Sequence, residues 1–267
     1  MQAVMEIINR QEYISWRFPK NTTVILTENP DTEDFNVSSM DEAQKSRYLR
    51  FNVKFDVDSW GRFAENAQLD DRAINFMLAY SDEIMKENAQ HRHPVNARNY
   101  TMFANTISGI DNWEDPKNLA LILQLASGAF LDDKDNVIGS LFTSFIANKL
   151  DKLISPKDLL TGDWKTVKKR IKECVYDSDG KYKPLVASIL HTRMLNYSMY
   201  YFDQPKAKTE VVEQRLLDLI ETNESDKEGD MLFSEDFLFD IIKQLVSKYK
   251  SRTNKLLLNP KIRARIL

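Results

Sequence analysis

Apolar residues follow several different patterns over the first 57 residues and a single, helical spacing over the rest of the chain. Residues 2–11 place apolar side chains three and four positions apart, which predicts an amphipathic helix. Residues 13–18 are short, mixed and aromatic, and they suit a strand or a hairpin arm. Residues 24–26 form a continuous apolar run, typical of a strand covered on both faces. Residues 51–57 alternate strictly, which predicts a strand with one exposed face.

After residue 57 the alternation gives way to helical spacing. Asp58, Asn96 and Ser234 precede helical segments as candidate N-caps, and Pro116 fits as a first helical residue. The apolar positions that mark the other helices fall within residues 60–63, 74–84, 97–110, 138–146, 164–175, 185–195, 212–220 and 237–249. This part of the chain is therefore predicted to be entirely helical.

Together these patterns predict three regions. Residues 1–57 are expected to hold an α/β portion with part of a sheet, residues 58–112 a small helical bundle, and residues 113–267 an all-α extension. We place the boundary between the last two near residues 111–116. The predicted fold class is an α/β remnant followed by helices, and the chain is expected to be predominantly α overall.

Composition and charge narrow the class of protein. Hydrophobic residues make up 42% of the 267, enough for a real core, and the net charge of −3 argues against a chain that is basic throughout. Cys174 is the single cysteine, so no intramolecular disulfide can form, and its apolar neighbours predict a buried, unreactive thiol. No stretch approaches the ~20 apolar residues of a membrane span, and the first residues do not resemble a secretory signal. We expect a cytoplasmic protein.

Three short segments carry candidate chemistry. They are TENP at residues 27–30, MDEAQKSRY at 40–48 and VNARNYT at 95–101. The first presents Asn29, whose amide can donate to a phosphate oxygen and accept from water at once. The other two present Arg47 and Arg98, whose guanidinium groups suit phosphate. Simpler interpretations remain: an Asn-Pro turn for the first segment, and surface arginines for the other two.

In this order the segments resemble the sensor-1, arginine-finger and sensor-2 motifs of AAA+ ATPases, closest to the MoxR and dynein-related branch. The family patterns are T-x-N-P, L-D-x-A-x-x-x-R-F and S/N-P-R-x-W/Y-T; this chain has Met40, Tyr48 and Ala97 where the family has Leu, Phe and Pro. The resemblance covers residues 1–110 or so. Beyond it we recognise only a helical, collar-like character, which would suit an oligomerisation platform.

The resemblance implies roles for the three residues. Asn29 would help to orient the attacking water, Arg47 would reach the nucleotide of a neighbouring subunit, and Arg98 would contact the phosphates from a helical lid. It also implies ATP and Mg²⁺ as cofactors of the complete protein, a hexamer-like homo-oligomeric ring, and a protein adaptor or substrate as partner. No membrane is implied. The resemblance is compatible with a bacterial or a phage source. A phage protein would be located in the virion or in the host cytoplasm.

The phosphate-binding half of such an ATPase is missing from the sequence. No G-x-x-x-x-G-K-[ST] segment occurs, and the single Gly-Lys pair, Gly180-Lys181, lacks the first glycine and is followed by Tyr182. The segment AFLDD at 129–133 imitates a Walker B strand but follows sensor 1, so it is more simply a polar turn. We expect a C-terminal portion that starts just after Walker B. Alone it should neither bind ATP tightly nor hydrolyse it, because the phosphates and the metal lack ligands.

Basic residues also accumulate towards the end of the chain. The candidate surface for a partner or nucleic acid comprises Lys248, Lys250, Arg252, Lys255, Lys261, Arg263 and Arg265. A second cluster lies within residues 165–172. The simpler interpretations are a solvated helix face and the preference of cations for helix C-termini. No metal site is expected, because His91 and His93 sit in a loop spacing beside Pro94.

Two hypotheses of different classes follow. The first is the sensor, finger and lid portion of a MoxR-like AAA+ ATPase that couples ATP hydrolysis to remodelling of a partner. The second is a non-catalytic helical scaffold or interaction protein, phage-encoded for example, with a decayed AAA+ remnant. An upstream Walker A segment in frame would separate them.

Overall fold

The structure is a computed structural model of the chain. It describes residues 7, 12–13, 16–27, 46, 49–85, 95–130, 137–225 and 231–266. Helices dominate these residues, which confirms the prediction of a predominantly α protein. The chain divides into two compact units, Met1–Lys54 and Phe55–Leu267.

In the first unit, the described secondary structure is chiefly a short hairpin. Strand β1 (Glu12–Tyr13) pairs antiparallel with β2 (Trp16–Arg17), and Arg17 Nε donates to Glu12 Oε2 at 3.2 Å. Residues 13–18 were predicted to form one strand or one arm of a hairpin, whereas the described residues show both strands of a hairpin there. Ile7 is helical, and the rest of the helix predicted over residues 2–11 lies outside the described residues.

The strands predicted over residues 24–26 and 51–57 are not formed. Apart from Val57, which begins a helix, both segments lack regular secondary structure, and their side chains are exposed, Ile25 by 82% and Val53 by 96%. A strand needs a neighbour to satisfy its backbone N–H and C=O groups, and no described residue pairs with either segment. The α/β portion therefore stays a prediction.

In the second unit, the described residues form a succession of helices with short connections. They are α1 (Val57–Asn66), α2 (Asp71–Ile84), α3 (Ala97–Ile107), α4 (Pro116–Phe130), α5 (Val137–Ala147), α6 (Pro156–Thr161), α7 (Trp164–Val175), α8 (Pro184–Asp203), α9 (Thr209–Ser225), α10 (Glu235–Lys248), α11 (Asn254–Leu258) and α12 (Pro260–Ile266), with 3-10 turns at Leu150–Lys152 and Lys250–Arg252. Every helix predicted after residue 57 is present. The short helices α6, α11 and α12 are additions to that prediction.

Side-chain caps explain several helix starts. Asn96 caps α3 and Ser234 caps α10, as predicted. The prediction that Asp58 caps α1 is wrong, because Asp56 accepts from the amide of Ser59 at 2.8 Å and Asp58 lies inside the first turn. An acidic residue in either position favours the helix N-terminus, so spacing alone does not choose between them.

A buried aromatic cluster joins the predicted bundle to the predicted extension. The ring of Phe76 on α2 lies 4.5 Å from that of Phe142 on α5 and 5.3 Å from that of Phe145, between centroids. Trp113 lies at the predicted boundary. Its ring lies 5.3 Å from that of Phe142, and its indole N–H donates to the carbonyl of Ile110 at 2.9 Å. The core of the second unit is thus continuous across that boundary.

Helix α8 is the central element of the second unit. It is 20 residues long and packs against α1, α2, α6, α7, α9 and α10. Its sequence is apolar around much of its circumference, as expected for a helix surrounded by others. Polar side chains on α8 therefore need partners inside the protein, and they define the sites below.

Candidate functional site

Two of the three residues assigned by the resemblance, Asn29 and Arg47, lie outside the described residues. The same is true of His91 and His93, the histidines considered as metal ligands. Within the ranges that the structure describes, no group of three or more His, Cys, Asp or Glu side chains could hold a metal ion. The roles of Asn29 and Arg47 stay predictions.

Arg98 lies in the first turn of α3, and its side chain is exposed. The amides of Arg98 and Asn99 both donate to Asn96 Oδ1 at 3.0 Å, and the amide of Asn96 donates to Asn99 Oδ1 at 2.8 Å. This capping box uses the helix amides that a phosphate would otherwise meet. The amides and the guanidinium were expected to face a phosphate together, but the cap already occupies the amides of Arg98 and Asn99. The guanidinium of Arg98 pairs with no described residue.

The C-terminal basic residues are largely engaged within the chain. Arg252 is half-buried and donates to the carbonyl of Ala207 at 3.2 Å, while Arg265 donates to Glu235 and Asp236 at 3.0 and 2.7 Å. Arg252 thus binds a carbonyl in the segment after α8, and Arg265 binds the acidic first turn of α10. These contacts favour a structural role for Arg252 and Arg265 over a shared partner surface.

The remaining members of that set differ in their surroundings. Lys255 Nζ donates to Gln214 Oε1, and Lys248 pairs with Asp203. Lys250, Lys261 and Arg263 are exposed. On α7, the second basic cluster is paired in part, with Lys169 3.7 Å from Glu173 and Arg170 3.5 Å from Asp158.

Two further sequence features have structural roles. Burial raises the pKa of the Cys174 thiol, which is half-buried on α7, and this fits the prediction of an unreactive cysteine. Gly180 lies in a turn closed by an antiparallel bridge between Tyr176 and Tyr182, with φ at 75°. The Gly-Lys pair is thus a left-handed turn position rather than a phosphate loop.

A buried arginine, which the sequence interpretation did not single out, joins three elements. Arg193 of α8 is 1% exposed; its Nε donates to Glu65 Oε1 of α1 at 2.7 Å and its Nη1 to Asn75 Oδ1 of α2 at 3.0 Å. Its Nη2 also donates to Asp71 at the start of α2. Asn75 Nδ2 in turn donates to the carbonyl of Leu150 at 3.0 Å. The network fixes α8 against α1 and α2.

The electrostatics of this network follow from burial. Desolvation raises the pKa of the Glu65 carboxyl, and the charge of Arg193 opposes that rise. The guanidinium stays protonated because its own pKa lies far above neutrality. Helical spacing contained the signal for this residue: Ile189 and Leu190 place Arg193 on the apolar face of α8, where a charge requires partners.

A polar cleft with a volume of ≈ 240 Å³ opens between α1, α8 and α10. Its polar lining comprises Arg62, Asn66, Asn196, Tyr200, Asp203 and Lys248. Lys248 Nζ lies 3.2 Å from Asp203 Oδ2, and Tyr249 Oη donates to Asp203 Oδ1 at 2.7 Å. Partial burial raises the pKa of Asp203, but the hydrogen bonds from Tyr249 and Lys248 outweigh it and hold that pKa below its usual value.

Asn196 lies where this cleft meets the interface between α8 and α1. It is 4% exposed, and its Nδ2 has no hydrogen-bond partner. A Cβ added at Gly61 of α1 would lie 3.0 Å from that nitrogen, so only glycine allows this approach without a shift. Sequence reasoning missed the cleft because its residues come from positions 62 to 248.

Comparison with known proteins found no family model, curated protein or solved structure that matches the chain. None of the helices in the described ranges is both long enough and apolar enough to cross a membrane.

Proposed function

We propose that this chain supplies the sensor-1 residue, the arginine finger and the helical lid of a MoxR-like AAA+ ATPase that remodels a protein or nucleoprotein partner. ATP and Mg²⁺ would be held by Walker A and Walker B segments outside these residues, and the subunits would form a ring. The observation that carries the proposal is the order of three partial motifs, with Asn29, Arg47 and Arg98 as their functional residues.

The surroundings of Arg98 support this proposal. Its guanidinium is exposed at the start of a helix with a complete capping box, and it pairs with no described residue. An exposed guanidinium that pairs with no described residue is suited to a bidentate contact with phosphate oxygens. A surface arginine paired with its own helix would have been less suitable.

Exposed apolar side chains in the first unit also support it. Leu49, Phe51 and Val53 are exposed by 89%, 81% and 96%, and Ile25 by 82%. Burial of apolar surface is favourable by about 25 cal/mol per Å². We therefore expect another protein surface to cover these side chains. In the proposed assembly, the rest of the ATPase core or a neighbouring subunit provides it.

Steady-state kinetics on the complete open reading frame that contains this chain test the proposal. We expect Asn29→Ala to lower kcat by roughly 10²-fold or more, because the attacking water loses its orienting amide. We expect Arg98→Ala to raise KM for ATP by roughly tenfold or more, because a charge-assisted hydrogen bond is lost. Arg263→Ala, an exposed arginine on α12, is the matched control and should change neither. Absence of ATP hydrolysis by the complete protein would contradict the proposal.

A helical scaffold is the second candidate, and the second unit gives a specific reason for it. Its core runs without a break from α1 to α12, and the Arg193 network joins α1, α2 and α8 within that core. A scaffold predicts that partner binding is insensitive to ATP and to Arg98→Ala. An ATPase predicts that both change it.

A further inference from the structure

We propose that the cleft between α1, α8 and α10 binds a small ligand through an oxyanion group, a phosphate or a carboxylate, with Arg62 and Lys248 as its contacts. This inference is independent of the proposed ATPase function. It concerns only the second unit, and no residue of the three AAA+-like motifs takes part in it.

The charge of the cleft favours an anion. Arg62 and Lys248 contribute two positive charges and Asp203 one negative charge. Asp203 is engaged with Lys248 and Tyr249, whereas Arg62 forms no hydrogen bond or ion pair with a described residue. A guanidinium offers a planar pair of N–H donors that matches a carboxylate or phosphate, so Arg62 is the natural first contact.

The neutral groups of the cleft are suited to the same class of ligand. Asn66 is exposed on the wall of the cleft, and its side-chain amide can donate to an oxyanion. Tyr200 Oη already accepts from Gln68 Nε2 at 3.3 Å, so its own proton is available to donate. Donors thus outnumber acceptors around the cleft.

The size of the cleft limits the ligand. Its ≈ 240 Å³ is below the ~300 to 1,000 Å³ of typical drug-sized pockets, so the occupant should be inorganic phosphate or a small carboxylic acid rather than a nucleotide. Asp203 disfavours a ligand with many negative charges. A single oxyanion group bridging Arg62 and Lys248 satisfies both conditions.

Titrations followed by ¹H–¹⁵N NMR of the full chain test this inference. Inorganic phosphate and acetate are the two anionic probes, choline is the cationic probe, and the chloride concentration is kept constant. We expect saturable shifts for the side-chain amides of Asn66 and Asn196 with at least one anion, and the anion that saturates first identifies the class. Arg62→Ala should weaken that binding by roughly tenfold or more, because it removes a charged donor. Arg62→Lys should weaken it less.

Lys250→Ala is the matched control, because Lys250 lies close to Lys248 in sequence and its exposed side chain pairs with no described residue. Binding that Lys250→Ala weakens as much as Arg62→Ala would overturn the inference, since it would indicate a general charge effect. Shifts that do not saturate, or that choline produces equally, would overturn it as well. Arg62 is exposed, so its substitution tests binding without disrupting the core.

Discussion

Arg193 Nε and Glu65 Oε1 lie 2.7 Å apart in the interior of the second unit, with the two side chains 1% and 5% exposed. A buried ion pair of this kind is costly to break, because removal of one partner leaves the other charge without compensation. We expect Arg193→Ala to lower the free energy of unfolding by about 3–5 kcal/mol, which urea denaturation can measure.

Replacement of both charges is the informative control for that prediction. In Glu65→Leu combined with Arg193→Met, no buried charge is left unpaired, because Asp71, the other partner of Arg193, is 48% exposed. We therefore expect a smaller loss than in Arg193→Ala alone. A double variant that is as unstable as the single one would contradict the account. Arg263→Ala, exposed on α12, should leave stability unchanged.

Gly61 and Gly128 give a matched pair of helical glycines with opposite expectations. A Cβ at Gly61 would meet Asn196 Nδ2 at 3.0 Å, whereas nothing lies within 4 Å of a Cβ at Gly128. We expect Gly128→Ala to stabilise the protein by about 0.5–1 kcal/mol through helix propensity. We expect Gly61→Ala to destabilise it by about 1 kcal/mol or more, because the buried amide of Asn196 must move away from the added methyl group.

A double-mutant cycle with Asn196→Ala tests the cause of the Gly61 effect. If the close approach of Asn196 is responsible, Gly61→Ala should be less harmful, or favourable, once Asn196 is shortened. Thermal or urea unfolding of the four variants gives the coupling energy. Zero coupling would mean that Gly61 is required for another reason.

His191 gives the second unit a dependence on pH. Its ring stacks on Phe237 with centroids 4.4 Å apart, and its Nε2 lies 3.3 Å from Asp240 Oδ2. Burial lowers the pKa of His191 below its usual 6.5, although the charges of Asp240 and Asp58 oppose that shift. The unfolded chain then binds the proton more readily, so this contribution to stability is complete above pH 6.5 and is lost as the pH falls below it.

The comparison of the wild type with His191→Gln isolates this contribution from the carboxylates that titrate in acid. We expect the free energy of unfolding of the wild type to fall more steeply below pH 6.5 than that of the variant. Urea denaturation on both sides of that pH measures the difference. Parallel pH profiles would show that the His191 pKa is the same in the folded and unfolded states.

The helices of the second unit could be predicted from the sequence because their signal is local. α7, for example, combines apolar residues at helical spacing with Asp163 as its cap, and the predicted 164–175 agrees with Trp164–Val175. The helices α11 and α12 were missed because so few turns show no clear period. The strands at 24–26 and 51–57 were predicted from a continuous apolar run and from alternation, and both patterns describe side chains and not the presence of a partner strand.

The Arg193 network and the cleft could not be predicted, because their residues are far apart in the sequence. Arg193 meets Glu65 and Asp71 across more than a hundred positions, and the cleft brings Arg62 of α1 close to Lys248 of α10. Helical spacing can indicate that Arg193 faces the interior, but it cannot identify the carboxylate with which Arg193 pairs. Conversely, the sequence drew attention to Arg252 and Arg265 as a surface for partners, and their contacts lie within the chain.

Mixing of two inactive variants tests the central claim most directly, because it separates residues that act within a subunit from one that acts on a neighbour. In the complete protein, Asn29→Ala should disable each subunit's own site, and Arg47→Ala should disable the site next to it. We expect each variant alone to be nearly inactive. A mixture of the two should recover about a quarter of the wild-type ATPase rate, since random assembly restores that share of the interfaces. A mixture as inactive as its components, or an active Arg47→Ala protein, would contradict the arginine-finger assignment.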